Sequence, residues 1–169
     1  MMNQDKVKQL VLAGLMCAVI AVLTMFISIP IPGVAGGYVN AGDAGVYLAA
    51  FLLGGPLGAA AAGVGSALAD LLLGSMIYAP ATLVIKAGMA YVAAMLYGKI
   101  SGWKQIFVPL AGGLVMTAGY FLYECLIYGP ATAAVSIPFN LMQAAGGAVI
   151  AFFITQALVR LRKNRPADH

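Results

Sequence analysis

The chain has 169 residues, 63% of them hydrophobic and only 8% charged, with a mean hydropathy of +0.98. So little charge excludes a water-soluble domain of this size and places the chain among membrane proteins. The net charge of +4 lies at segment ends rather than in one patch, which argues against a nucleic-acid partner.

The apolar runs are continuous and near 20 residues, about the length that crosses ~30 Å of hydrocarbon as a helix. They lack the alternation of a membrane β-barrel. An all-α membrane protein is therefore predicted, with one domain over 1–169 and short tails at 1–7 and 161–169. Six transmembrane spans are predicted, at 8–29, 43–54, 57–76, 80–98, 107–128 and 138–160. The first apolar run, Val7 to Ile29, is too long for a signal-peptide core and reads as a transmembrane helix. The connection after it, Pro30 to Gly42, is rich in Gly and Pro and carries Tyr38 and Asn40.

Asp43 opens the second span, which breaks at Leu53-Gly54-Gly55-Pro56. The third span is small on most faces, as in a helix packed inside a bundle, and carries Asp70 near its end. Lys86 lies about two turns into the fourth span. In the fifth, Tyr120, Glu124 and Tyr128 are spaced at i, i+4 and i+8 and share a stripe. Asn140 and Gln143, at i and i+3, share a face of the sixth.

Basic residues fix the expected orientation. Lys6 and Lys8 precede span one, Lys99 and Lys104 lie between spans four and five, and Arg160, Arg162, Lys163 and Arg165 follow span six. The connections 30–42, 77–79 and 129–137 contain no Lys or Arg. Both termini are thus expected in the cytoplasm, with Trp103 as an anchor at the inner interface. On this frame Asp43, Asp70, Lys86, Glu124, Asn140 and Gln143 all fall in the outer half of the spans. The expected shape is a cup open to the outside.

An ionisable group inside a lipid-embedded helix costs roughly 2.5–3.5 kcal/mol on insertion scales, so each one is a site candidate. The candidate ligand-binding residues are Tyr38, Asn40, Asp43, Asp70, Tyr78, Lys86, Tyr120, Glu124, Tyr128, Asn140 and Gln143. Asp70 and Glu124 are the expected counter-charges of Lys86. The plainer reading makes these groups interhelical ties, and for Asp43 a helix-start stabiliser; two acids against one base over-fill a simple pair.

Hydrolytic and metal chemistry has no residues to use. The only His is His169, Cys17 and Cys125 sit inside apolar runs, and no Gly-rich phosphate loop occurs. Neither an enzyme nor a cofactor is expected. A stand-alone secondary transporter or a non-transport scaffold remain as alternatives to a binding subunit; the first would need polar groups in the inner half of the spans.

Several stretches together resemble a known family: Tyr38-Val-Asn-Ala-Gly-Asp43, Leu53-Gly-Gly-Pro-Leu-Gly58, Gly65-Ser-Ala-Leu-Ala-Asp-Leu71, Tyr78-Ala-Pro-Ala-Thr-Leu-Val-Ile-Lys86, Gly119-Tyr-Phe-Leu-Tyr-Glu124 and Pro138-Phe-Asn-Leu-Met-Gln143. With six helices, they resemble the substrate-binding S component of an energy-coupling factor (ECF) vitamin transporter. The nearest branch is that of hydroxymethylpyrimidine, vitamin B6 and riboflavin-type S components. The resemblance implies a multi-pass subunit of a prokaryotic cell-membrane importer. It would bind a small heterocyclic vitamin or precursor, with hydroxymethylpyrimidine or vitamin B6 favoured over riboflavin. A transmembrane coupling protein (the T component) and two cytoplasmic ATPase subunits would hydrolyse the ATP. The small face of span one, Gly14, Ala18 and Ala21, would dock the coupling protein.

Overall fold

Glycine and proline set the breaks between the helices. In the computed structural model, which describes residues 4–164, helix α1 (Gln4–Phe26) gives way to strand β1 (Ser28–Pro30). Of the expected tails, 1–3 and 165–169, with Arg165, lie outside the described residues. Strand β2 (Tyr38–Asn40) pairs antiparallel with β1, Ile29 opposite Val39. Helix α2 (Gly42–Leu53) follows at once and stops at Gly54, whose φ of 68° suits only glycine well. Pro56 then sits in the first turn of α3 (Gly55–Leu72), where its missing N–H leaves no bond unmade. Helix α4 (Ala79–Tyr97), a short 3-10 turn (Gly102–Ile106), α5 (Phe107–Tyr128) and α6 (Pro130–Lys163) complete the chain.

Two expected boundaries are corrected. The sixth span was placed at 138, after a loop, but α6 starts at Pro130 and passes through Pro138. Gly129 makes the turn with φ 86°, Pro130 takes the first helical turn, and Ala131, Ala133 and Ala134 favour helix. Pro138 forfeits one helical hydrogen bond without ending the helix. The first span was extended to Ile29, whereas residues 28–30 are strand, so the connection between spans one and two contains a β-ribbon.

Among the described residues five helices are long and apolar enough to cross a membrane; α2, at 12 residues, covers only about 18 Å. It is nevertheless central, packing on α1, α3, α4 and α6 with one face after another buried. Close approach depends on missing side chains. A Cβ on Gly65 would lie 2.6 Å from the Cys17 carbonyl oxygen of α1, and one on Gly113 would lie 2.5 Å from Ala144 Cβ of α6. Away from the helix ends, outward surfaces are apolar and the charged groups lie inside. Leu126 is 85% exposed whereas Glu124, two residues earlier, is 1% exposed. This inversion is what a hydrocarbon solvent selects, and it turns the polar side chains toward one another.

Candidate ligand-binding site

The carboxylate of Asp43 opens the site's polar framework. Sitting in the first turn of α2, it is fully buried and ion-pairs with Lys86 of α4. Its second oxygen accepts from Gln143 Nε2 of α6 at 2.8 Å. Gln143 Oε1 in turn accepts the backbone N–H of Asn40 in β2 at 2.7 Å. Lys86 Nζ also donates to Met116 Sδ of α5 at 3.0 Å and lies 5.8 Å from the Tyr120 ring centre. One chain of contacts thus ties β2, α6, α2, α4 and α5 together. Asp70 and Glu124 were expected to neutralise Lys86; the structure gives that role to Asp43, because α2 is wedged between α4 and α6.

The other two acids have partners of their own. Glu124 of α5 accepts from the Tyr78 hydroxyl at 2.9 Å and from Ser136 of α6. Asp70 of α3 accepts from the Tyr38 hydroxyl. Burial first, and then the Asp70 carboxylate, push the Tyr38 phenol well above its usual range, so it stays protonated and donates. Thr82 and Tyr120 share a hydrogen bond of 3.0 Å across α4 and α5.

These groups surround one cavity beneath the β-ribbon. Of the residues expected from the sequence, Tyr38, Asn40, Asp70, Tyr78, Lys86, Tyr120, Glu124, Asn140 and Gln143 line it. Asp43 stands behind Lys86 and Gln143 rather than on the wall. Tyr128 lies outside: its hydroxyl donates 2.7 Å to the Ala35 carbonyl and pins the loop between the strands. Ser75 does the same to the Gly36 carbonyl at 2.9 Å. Sequence reasoning missed Thr24, Ser66 and Thr82 on the wall, and Met116 and Ser136 as partners of Lys86 and Glu124. Hydroxyls and thioethers are ordinary in apolar helices, so only the i, i+4, i+7 spacing of Ser136, Asn140 and Gln143 on one α6 face could have hinted at one of them.

The cavity offers about 20 Å³, room for about one water molecule. A ring-sized ligand is larger than this space, so binding one requires the lining to give way. What the cavity offers chemically is a balanced Asp43–Lys86 pair, two further acids, an uncommitted Asn140 amide and Tyr rings. Such a wall suits a flat heterocycle that carries hydrogen-bond donors and stacks on aromatic faces. Among the described residues no three His, Cys, Asp or Glu side chains gather as metal ligands would.

Comparison with known proteins gives four matches. The sequence model of the family described as "ECF-type riboflavin transporter, S component" matches residues 4–160. A "Thiamine precursor transporter HmpT" of Lactococcus lactis subsp. cremoris is 32% identical over 160 residues, covering 95% of this chain and 93% of that protein. An "Uncharacterized protein in gap 3'region" of Pyrococcus woesei is 36% identical over 132 residues, or 78% of this chain and 88% of that protein. In fold, the chain superposes on a solved structure titled "Structure and mechanism of the S component of a bacterial ECF transporter" with a TM-score of 0.76. That match covers 94% of this chain and 99% of the other at 24% identity.

Proposed function

This chain belongs to the ECF-type riboflavin transporter S-component family of integral membrane transport proteins, which are not enzymes, and on that premise we propose that its cavity binds one small heterocyclic vitamin or vitamin precursor for import. Hydroxymethylpyrimidine, the thiamin precursor, or vitamin B6 is favoured over riboflavin. The observation that carries the reading is the gathering of Asp70, Lys86, Glu124 and Asn140 on one buried wall in an otherwise apolar bundle. Resemblance to a thiamine-precursor transporter supports the pyrimidine. So does the cavity's size, since a single ring asks less rearrangement of the lining than a tricyclic isoalloxazine would.

In this reading the ribbon end faces outside and both termini face the cytoplasm, as the basic residues predict. The chain acts as one six-helix unit that brings ligand to a coupling protein and two cytoplasmic ATPases, where the ATP is hydrolysed. The docking surface is the outward face of α1, where Gly14 and Ala18 are exposed and Ala21 is partly so, while Ala13, Met16 and Ile20 face the core.

Calorimetric titration of the purified protein with hydroxymethylpyrimidine, pyridoxine, pyridoxal, thiamin and riboflavin tests this. Kd below about 1 μM, near −8.2 kcal/mol, is expected for a pyrimidine or a B6 form. Tightest binding by riboflavin, or no binding across the panel, would overturn the ligand assignment.

A further inference from the structure

Of the three buried acids among the described residues, two are fully engaged. Asp43 has a partner on each oxygen, Lys86 and Gln143, and Glu124 likewise has Tyr78 and Ser136. Asp70 differs. It is 3% exposed, its Oδ1 accepts from Tyr38, the Thr82 hydroxyl lies beside the carboxylate while pairing with Tyr120, and its Oδ2 is buried and makes no hydrogen bond among the described residues. Lys86, the cavity's base, directs its ion pair to Asp43. A bare, buried carboxylate oxygen is costly and rare in folded proteins, so its persistence on a cavity wall marks a place for a donor from outside the chain.

We infer that Asp70 is the specificity-determining residue of this site, its free oxygen accepting an N–H from an amino group carried by the ligand's ring. This inference rests on the ligand-binding reading above and narrows it to amino-substituted heterocycles. An exocyclic amine conjugated with a ring nitrogen is the best match to that oxygen. Conjugation polarises its N–H, and the form carrying a proton taken from water on the ring nitrogen is stabilised by a facing carboxylate, which strengthens the bond. The same ring without the amine would leave Asp70 Oδ2 unpaired inside the complex. Sites built to pair a polar group reject analogues lacking it far more strongly than apolar pockets reject a missing methylene.

The test compares the affinity of 4-amino-5-hydroxymethyl-2-methylpyrimidine with that of the same ring lacking its amine. It uses the wild type, Asp70→Ala, Asp70→Asn and Tyr38→Phe, with thermal unfolding to establish folding. Wild type should prefer the aminated ring by at least about a hundredfold. Asp70→Ala should reduce the preference to less than about threefold. Asp70→Asn, which keeps an acceptor without the charge, should fall between, and Tyr38→Phe should keep the preference. Should Asp70→Ala not fold, the wild-type and Asp70→Asn preferences decide alone. Equal wild-type affinities, or a preference that survives both Asp70 substitutions, would overturn this inference while leaving the site intact. A wild type that binds neither ring would remove the ligand-binding reading, and this inference with it.

Discussion

Lys86 has its positive charge in the bundle's centre, and what tolerates it there is Asp43. Removing one partner of a buried pair strands the other, at about 3–5 kcal/mol, whereas removing both can be nearly neutral. Asp43→Ala is therefore expected to lower the thermal midpoint sharply, and the double variant Asp43→Ala with Lys86→Met to recover most of the loss. Equal midpoints for wild type and Asp43→Ala would dismiss the pair as a structural tie. At this scale the sequence was informative about which residues matter and poor about their pairing. Asp70, Lys86, Glu124, Asn140 and Gln143 stand out because polar groups in apolar helices are expensive. Partner choice depends on where helices cross. Asp43 looked like a helix-start residue, and only the wedging of α2 between α4 and α6 brings it to Lys86.

The β-ribbon and the α1–α3 crossing carry the predictions at the scale of elements. The ribbon is held over the cavity by Tyr38 on Asp70, Gln143 on Asn40, Ser75 on Gly36 and Tyr128 on Ala35. Tyr128 lies outside the cavity, so Tyr128→Phe removes one latch and no wall. With a hydrogen bond worth about 0.5–1.5 kcal/mol, ligand dissociation should quicken by roughly two- to twelvefold with the fold unchanged. Stopped-flow release of bound ligand reads this, and an unaltered rate would remove Tyr128 from the latch. At the crossing, Gly65→Val would drive a side chain into the Cys17 carbonyl and is expected to cost about 1–3 kcal/mol of stability. Wild-type stability in that variant would contradict the close approach. Length and hydropathy made the long helices legible. The ribbon was not, because three-residue strands leave no periodicity to read, and Pro138 drew the start of α6 eight residues late.

For the whole molecule, an inward polar wall and an outward apolar coat give a bundle whose two proposed working surfaces are separate. The cavity lies under the ribbon, and the small face of α1 points away from the core. Ala18→Leu should therefore leave ligand affinity intact while blocking co-purification with the coupling protein; normal assembly would move the docking face elsewhere. If the buried wall holds the ligand, titration of Glu124→Ala and Asn140→Ala against wild type with hydroxymethylpyrimidine will show it, each variant's folding established by thermal unfolding. Both should fold and bind at least about tenfold more weakly, a loss of ~1.4 kcal/mol or more. Folded variants that both bind as tightly as wild type would contradict it.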